Sequence, residues 1–397
     1  MRQKYLSYNS VSFGCDPEFF FEDNGAIVGA EKVLTKGSIG NKRVIVDGVQ
    51  AEMNPRPNTC RANLGVAIAD CFRDMKTFLR GKQLNMNFKG TIEVKDEEFE
   101  SLSEKSKEFG CAPDYNIYKH CKNEIKVNPV LYKKRTAGGH IHLGIAGYNA
   151  ITTITTKNRH CISSKRFLRG ATNPLNLHEL DEKEYTLTNV PKALRDIDKL
   201  IPMLDIIIGN TCVLIDRGIN SYARREIYGK AGDYRLTPYG VEYRTLSNFW
   251  LRAYPLMSFV MGLARTAVMI VGDDIVNLND CRKEIMKAIN LDNIKTAIDN
   301  NSFALARYNF LKIVPILVKY VDRLESFSIN SHTLEKFKHF VNMGIDYWFK
   351  DNPIEHWSSI TDGHHIGWES FCKGKIANDI YNNKVKNIDA DFKALSH

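Results

Sequence analysis

The stretch 135-RTAGGHIHLGI-145 alternates in the manner of a β-strand and carries two histidines, two residues apart, behind a double glycine. Side chains two apart on a strand project to the same face. His140 and His142 therefore point together, beside a backbone at Gly138 and Gly139 with no side chain to obstruct a ligand. Neutral imidazole is a common metal ligand. A lone strand histidine is ordinarily a satisfied core or surface residue; a pair on one face after two glycines is a more specific signal.

The same period-two logic marks other segments. In 14-GCDPEFF-20, Pro17 fixes its own φ and biases Asp16 toward extended backbone, so the Asp16 and Glu18 carboxylates are expected on one side. Like charges so close repel unless something positive lies between them, and Mg²⁺ or Mn²⁺ suits such hard oxygen ligands. An exposed acidic turn is the competing reading. In 47-DGVQAEMNP-55 an Asp47-Gly48 turn leads into a strand on which Gln50 and Glu52 share a face. Glu52 is either a solvated edge residue or a buried acid that needs a partner.

In 224-RREIYGKAGDYRLTPYGVEYRTLSNFW-250, Arg224, Arg225, Lys230 and Arg235 cluster with Gly229 and Gly232, and Glu242 and Arg244 share one strand face. Arginine forks match phosphate and carboxylate oxygens in pairs. The segment reads as a holder for a metal-bound polyphosphate, against the alternative of a charged surface loop. His364 and His365 are adjacent, face opposite ways on any strand, and read as a loop or tail feature.

Outward from these segments, residues 11–53 read as strands and turns. Apolar positions at Leu64, Ala67, Ile68, Cys71, Phe72, Met75 and Leu79 predict an amphipathic helix over 59–80. Residues 87–150 are strand- and loop-like, 191–215 helical, and 217–248 loops with one strand at 241–246. Helices follow at 249–271, 280–299, 303–324 and 332–348. The pattern predicts an α+β fold, with a catalytic core over 1–250 and a helical C-terminal layer of the same unit over 251–397.

Composition narrows the class. The chain has 397 residues, 43% hydrophobic and 25% charged, as in soluble globular proteins. Its net charge of +9 permits a phosphate-bearing ligand or nucleic acid without requiring one. The most apolar segment, 249–272, is broken by Arg252 and Arg265, so a buried helix is expected rather than a membrane span. The opening MRQKYLSYNS lacks a signal core, and nine cysteines without a CxxC pair predict neither a disulfide framework nor a zinc knuckle. A reducing cytoplasm is the expected location. No GxxxxGK[ST] phosphate loop, GxGxxG fingerprint, GxSxG elbow or HExxH occurs.

Taken in order, the motifs G-x-DPE-F, DGV-x-x-E-x-NP, GC-x-PD-x-N (110-GCAPDYN-116), R-x-AGGHIH-x-G, an Arg/Gly loop and VEYRTLSNFW resemble the phage-type carboxylate-amine ligases, COOH-NH2 ligase type 2. That family is grouped with glutamine synthetase and glutamate–cysteine ligase. The resemblance covers about residues 11–250. It implies an antiparallel curved sheet of glutamine-synthetase-like catalytic type, with helices on its outer face and a helical C-terminal part. It also implies ATP with Mg²⁺ or Mn²⁺: ATP phosphorylates a carboxylate and an amine attacks the acyl phosphate.

Carried over by motif, Asp16, Glu18, Glu52, His140 and Glu242 are metal ligands. His142 approaches nucleotide phosphate, with Arg224, Lys230, Gly138 and Gly139 lining the nucleotide. Arg244 steadies the phosphoryl group, with Arg225 and Arg235 in the loop leading to it. Many relatives carry two glutamates around an ordinary residue where this chain has Asp16-Pro17-Glu18, a departure that shortens one arm. The implied partners are small-molecule, peptide or modified macromolecular carboxylates and amines. Nucleic acid is allowed, a membrane is not expected, and oligomerisation stays open. A phage-encoded copy would act in the host cytoplasm. The rival readings are a metal-dependent phosphohydrolase or nuclease, and a non-catalytic nucleic-acid or virion-binding relative with salt-sensitive binding.

Overall fold

The computed structural model describes residues 11–58, 61–109, 114–124, 128–129, 131–145, 192–216, 219–237, 239–272, 278–320 and 352–361. The helix expected at 332–348 and the His364-His365 pair lie outside these residues. In chain order the first strands are β1 (Val11–Cys15), β2 (Glu18–Asp23), β3 (Ala26–Val28), β4 (Ser38–Ile39), β5 (Val44–Asp47), β6 (Gln50–Met53) and β7 (Asn85–Asn87). Then come β8 (Thr91–Glu93), β9 (Tyr115–Asn116), β10 (Cys121–Lys122), β11 (Lys134–Thr136), β12 (Ile141–Ile145), β13 (Asp233–Thr237) and β14 (Gly240–Tyr243).

One sheet has the order β1-β12-β14-β13-β9-β10; a second runs β3-β2-β6-β5-β4 with β7 also paired to β2; β11 and β8 form a separate pair. The paired strands run antiparallel throughout. With the helices, this is the expected α+β class.

Register explains why the first sheet has a dry face and a chemical face. Phe13 stands opposite Leu143, which stands opposite Val241; Cys15, Ile141 and Tyr243 form the next such row. All six are buried and belong to the main apolar core. The helix Arg61–Leu79 buries Leu64, Ile68, Phe72 and Met75 in the same core, on the expected three-four spacing. Phe72 stacks on Trp357 with ring centroids 5.4 Å apart, which ties this helix to the later helix Pro353–Ser358.

The helix Tyr254–Gly272 is, among the described residues, the one long and apolar enough to cross a membrane by length and composition. Here it is buried nearly all round, as a core helix packed between other elements is. Its Arg265 lies over the Phe13 ring at 4.9 Å, so a charge that interrupts the apolar run is accommodated against an aromatic face.

Three expectations change. Residues 219–227 form a helix where loops were expected, and 233–243 form a β13–β14 hairpin rather than one strand. Buried arginines occupy helix positions where apolar residues would advertise periodicity, so the pattern is hidden. The helix expected over 191–215 is interrupted: Ile197–Leu204 passes into a π turn at Asp205–Gly209 before Asn210–Val213. The buried Asp205 accepts hydrogen bonds there from Tyr118 at 2.8 Å and Tyr243 at 2.7 Å.

Candidate metal centre

Cross-strand register assembles the first group of polar residues. His142 stands opposite Gly14 on one side and Glu242 on the other, and Glu242 stands opposite Arg235. Directly paired residues share a sheet face, so His142, Glu242 and Arg235 form one row. A Cβ on Gly14 would lie 3.4 Å from the His142 Cβ, so glycine keeps this end of the row open. His140, just before β12, and Asp16, just after β1, come in beside it. His140 Nδ1 is 3.0 Å from Asp16 Oδ1 and 3.3 Å from Glu242 Oε1. His142 Nε2 is 3.1 Å from Asp16 Oδ2. Asp16, His140 and Glu242 are buried, and one ligand atom from each of Asp16, His142 and Glu242 lies within 4.8 Å of the other two. Asp16 Oδ1, His140 Nδ1 and His142 Nε2 are close to one another's groups yet none makes a well-aligned hydrogen bond.

A second acidic group lies on the neighbouring sheet. Asp16 and Pro17 carry the chain from β1 to β2, so Asp16 lies between strands and Glu18 opens the second. Glu18 stands opposite Glu52, and Asp47 ends β5; one oxygen from each lies within 4.8 Å of the others. Glu18 is buried and pinned. It accepts from the Gly138 N–H at 2.6 Å and from Gln50 Nε2 at 3.5 Å. Its own backbone N–H donates to Gly138 O at 2.9 Å, and its carbonyl accepts from Asn248 Nδ2 at 2.8 Å.

The electrostatics are those of a site short of positive charge. Burial, then the neighbouring Asp47, pushes Glu18 up to about 8. Burial and then Asp16 raise Glu52 and Asp47. Burial also works against ionised Asp16, but the His142 and His140 imidazoles outweigh it and hold Asp16 well below the usual carboxylate range. For Glu242, burial is outweighed by Arg244 and Arg235, and the carboxyl is lowered. Burial and Arg244 bring His140 down to about 4, so its ring is neutral. Burial depresses His142 too, but Asp16 outweighs it and the net shift is upward. Carboxylates that resist ionising beside a neutral imidazole are what a divalent cation relieves, and oxygen with imidazole nitrogen is a donor set for Mg²⁺, Mn²⁺ or a related ion.

The arginines divide into two kinds. Arg235 donates from Nε to Glu242 Oε2 at 2.7 Å, with its side chain 39% exposed. The fully buried Arg244 pairs through Nη1 with Glu242 and through Nε with Asp114. Arg224 and Arg225 depart from their expected roles at the nucleotide and the phosphoryl group. Arg224 donates to Thr245 O at 2.9 Å and Arg244 O at 3.1 Å. Arg225 donates to Thr245 O at 2.5 Å and to Gly229 O. Both are buried struts that fix the backbone carrying Arg244. Gly229 is glycine because its φ is +77° and a Cβ would run into Arg224. Lys230 contributes through its main chain, donating to Asp233 Oδ2 at 2.8 Å and accepting from Thr245 Oγ1 at 3.0 Å.

The double glycine is also corrected. A Cβ at Gly138 would collide with the His140 ring, and one at Gly139 would meet Ser247 O and, at 2.6 Å, Trp250 Nε1. The space that sequence reasoning reserves for a ligand is filled by the protein's own groups.

A family model described as Phage phiEco32-like COOH.NH2 ligase-type 2 matches residues 192–348. The match supports a carboxylate-amine ligase. It spans less than half of the chain and includes Arg224, Arg235, Glu242 and Arg244, while Asp16, Glu18, Asp47, Glu52, His140 and His142 lie before it. No curated protein matches. Among solved structures, a bifunctional glutathione synthetase from Pasteurella multocida is similar at 12% identity and a TM-score of 0.44, over 94% of this chain and 51% of that one. The chain spans about half the length of that protein.

Four residues of the site were given no role by sequence reasoning. Asp47 opens a quoted motif but reads as a turn residue until β5 places it beside Glu18 and Glu52. Asp114 lies in the quoted 110-GCAPDYN-116, and only the structure pairs it with Arg244; burial pushes it up to about 7. Tyr228 and Tyr239 carry no local signal, yet each brings its hydroxyl to a histidine, Tyr228 to His140 Nε2 and Tyr239 to His142 Nδ1 at 2.7 Å.

Proposed function

We propose that the protein is an ATP-dependent carboxylate-amine ligase with a glutamine-synthetase-like catalytic sheet, working with Mg²⁺ or Mn²⁺. The observation that carries this reading is the row His142–Glu242–Arg235 with Asp16, His140 and Arg244 beside it, where ligands for a cation adjoin arginines suited to phosphate. The carboxylate would take the γ-phosphoryl group of ATP, with ADP leaving, and the amine would displace phosphate from the acyl phosphate; a bound divalent cation would supply charge neutralisation at the phosphates. Asp16, His142 and Glu242, with His140 alongside, would hold one cation, and Glu18, Asp47 and Glu52 would hold another. Arg235, the more exposed arginine, reaches toward the phosphoryl oxygens. Arg244, fixed by Asp114 and by the carbonyl struts of Arg224 and Arg225, supplies buried positive charge. Preorganised charge of this kind offsets the negative charge that spreads over a phosphoryl group in transfer.

The test is ADP release measured over a matrix of carboxylates and amines with Mg²⁺ or Mn²⁺. A ligase releases ADP only when a carboxylate is present and forms an amide when the amine is added; His142→Ala abolishes both. Phosphate release from esters without ATP would instead establish a hydrolase, and salt-sensitive nucleic-acid binding without turnover would establish a binding protein.

A further inference from the structure

Each histidine of the site has two differently occupied ring nitrogens. The near nitrogen, Nδ1 of His140 and Nε2 of His142, faces Asp16. The far nitrogen meets a phenol: Tyr228 at His140 Nε2, and Tyr239 at His142 Nδ1. The two tyrosines come from different places, one after the helix Ile219–Ile227 and one before β14, yet reach the same relation to their imidazoles.

Both phenols are built into position. The Tyr228 ring stands edge-on to His140, with centroids 5.4 Å apart and an interplanar angle of 88°. The Arg224 and Arg244 guanidinium groups lie 4.5 and 5.0 Å from its centroid. The Tyr239 ring lies 22° from the His142 plane at 5.8 Å. Gly144 eases this approach, since a Cβ there would lie 3.2 Å from Tyr239 Cδ2, a contact tight enough that the ring would have to give by a few tenths of an ångström. A glycine in the quoted strand thus serves the tyrosine, just as Gly138 serves the His140 ring.

The chemistry of the imidazole makes the partner's identity matter. A neutral ring carries one proton. Facing ionised Asp16, the near nitrogen holds it and the far nitrogen is an acceptor. A cation shared with Asp16 needs the near nitrogen bare, so the proton must then sit on the far nitrogen, which becomes a donor. A carboxylate or carbonyl can only accept from that nitrogen; a phenol can both donate and accept by rotating its O–H.

We propose that Tyr228 and Tyr239 are positioning residues that hold His140 and His142 in place in either tautomer, accepting from the far nitrogen when each imidazole turns a bare nitrogen toward a divalent cation. This rests on the cation reading of the site given above. The group that orients a ligating histidine typically changes metal affinity by about 10- to 100-fold when removed, and that is the effect expected here.

The experiment uses the full chain, with Tyr228→Phe and Tyr239→Phe made separately. Phenylalanine keeps the ring and removes only the hydroxyl, and circular dichroism verifies the fold of each variant. Mn²⁺ affinity is read by electron paramagnetic resonance, and the protonated nitrogen of each histidine by long-range ¹H–¹⁵N correlation with and without Mg²⁺. In the wild type, Mg²⁺ should move the His140 proton from Nδ1 to Nε2 and the His142 proton from Nε2 to Nδ1. Each Phe variant should bind Mn²⁺ about 10- to 100-fold more weakly, with the tautomer shift lost or mixed at its own histidine. Wild-type binding with unchanged affinity in both variants, or the same His140 tautomer with and without Mg²⁺, would overturn this proposal alone. Failure of the wild type to bind Mn²⁺ would overturn the cation reading as well.

Discussion

Glu18→Gln should make the protein more stable in the absence of cations while destroying the proposed activity. Burial beside Asp47 moves the Glu18 carboxyl from 4.5 to about 8. Between those values the unfolded chain has released the proton and the folded chain retains it, so stability falls as pH rises. At about 1.4 kcal/mol per tenfold, the full cost of carrying Glu18 above pH 8 is at most about 5 kcal/mol. Glutamine mimics the protonated acid and does not titrate. For 397 residues the unfolding entropy is about 0.8 kcal/mol per kelvin, so the variant should gain up to about 6 °C on the wild type between about pH 4.5 and pH 8.

Taking the difference between the two proteins removes the titrations of groups that do not interact with Glu18; Glu52, which the Glu18 charge helps to raise, contributes to the same difference. His140, lowered to about 4, adds stability as pH rises toward 6.5; Asp16 and Glu242, both lowered, lose theirs only in acid. Thermal unfolding followed by circular dichroism across this range, in EDTA and again in millimolar MnCl2, makes the comparison. Mn²⁺ competes with the proton and should erase the advantage of the variant at high pH. A melting-temperature difference that stays constant with pH in EDTA would refute the claim that Glu18 is held protonated.

Asp47→Asn should weaken Mn²⁺ binding by about 10-fold or more while the His142 signals still respond to the metal; an unchanged titration would remove Asp47 from the site. Arg225→Leu leaves Thr245 O and Gly229 O without that donor and should lower stability by about 3 kcal/mol with ATP affinity intact; the reverse pattern would restore Arg225 as a nucleotide ligand. Gly139→Ala should destabilise by about 1–3 kcal/mol, since its methyl group meets the Ser247 carbonyl and Trp250; a neutral change in a denaturant melt would show that a ligand-sized space lies there after all.

The separate fates of the motifs show how far local pattern reaches. His140 and His142 were legible as a same-face pair because strand alternation is a property of the backbone alone, and the structure brings both to Asp16. Glu242 and Arg244 were legible for the same reason. Arg224 and Arg225 were not: a run of basic residues reads as solvated or phosphate-binding unless one knows that carbonyls of Thr245 and Arg244 lie within reach. The 14-GCDPEFF-20 acids read as one strand face, but Asp16 and Pro17 form the passage from β1 to β2, so Asp16 lies between strands, Glu18 opens the second, and the Asp16 charge still helps to raise Glu18. Asp47 became visible only when β5 paired with β6.

By itself, then, the order of residues determined which side chains share a strand face, where the core helices at 61–79 and 254–272 run, and which acids and imidazoles were available for a cation. Tertiary structure alone decided which of those groups meet, that the glycines make room for His140, Trp250 and Tyr239 rather than for a ligand, and which nitrogen of each histidine faces Asp16. The reason is range. Alternation and helical spacing follow from backbone geometry over a few residues, whereas strand pairing, burial and hydrogen-bond partners arise from packing between segments that stand from a few to more than a hundred residues apart in the chain.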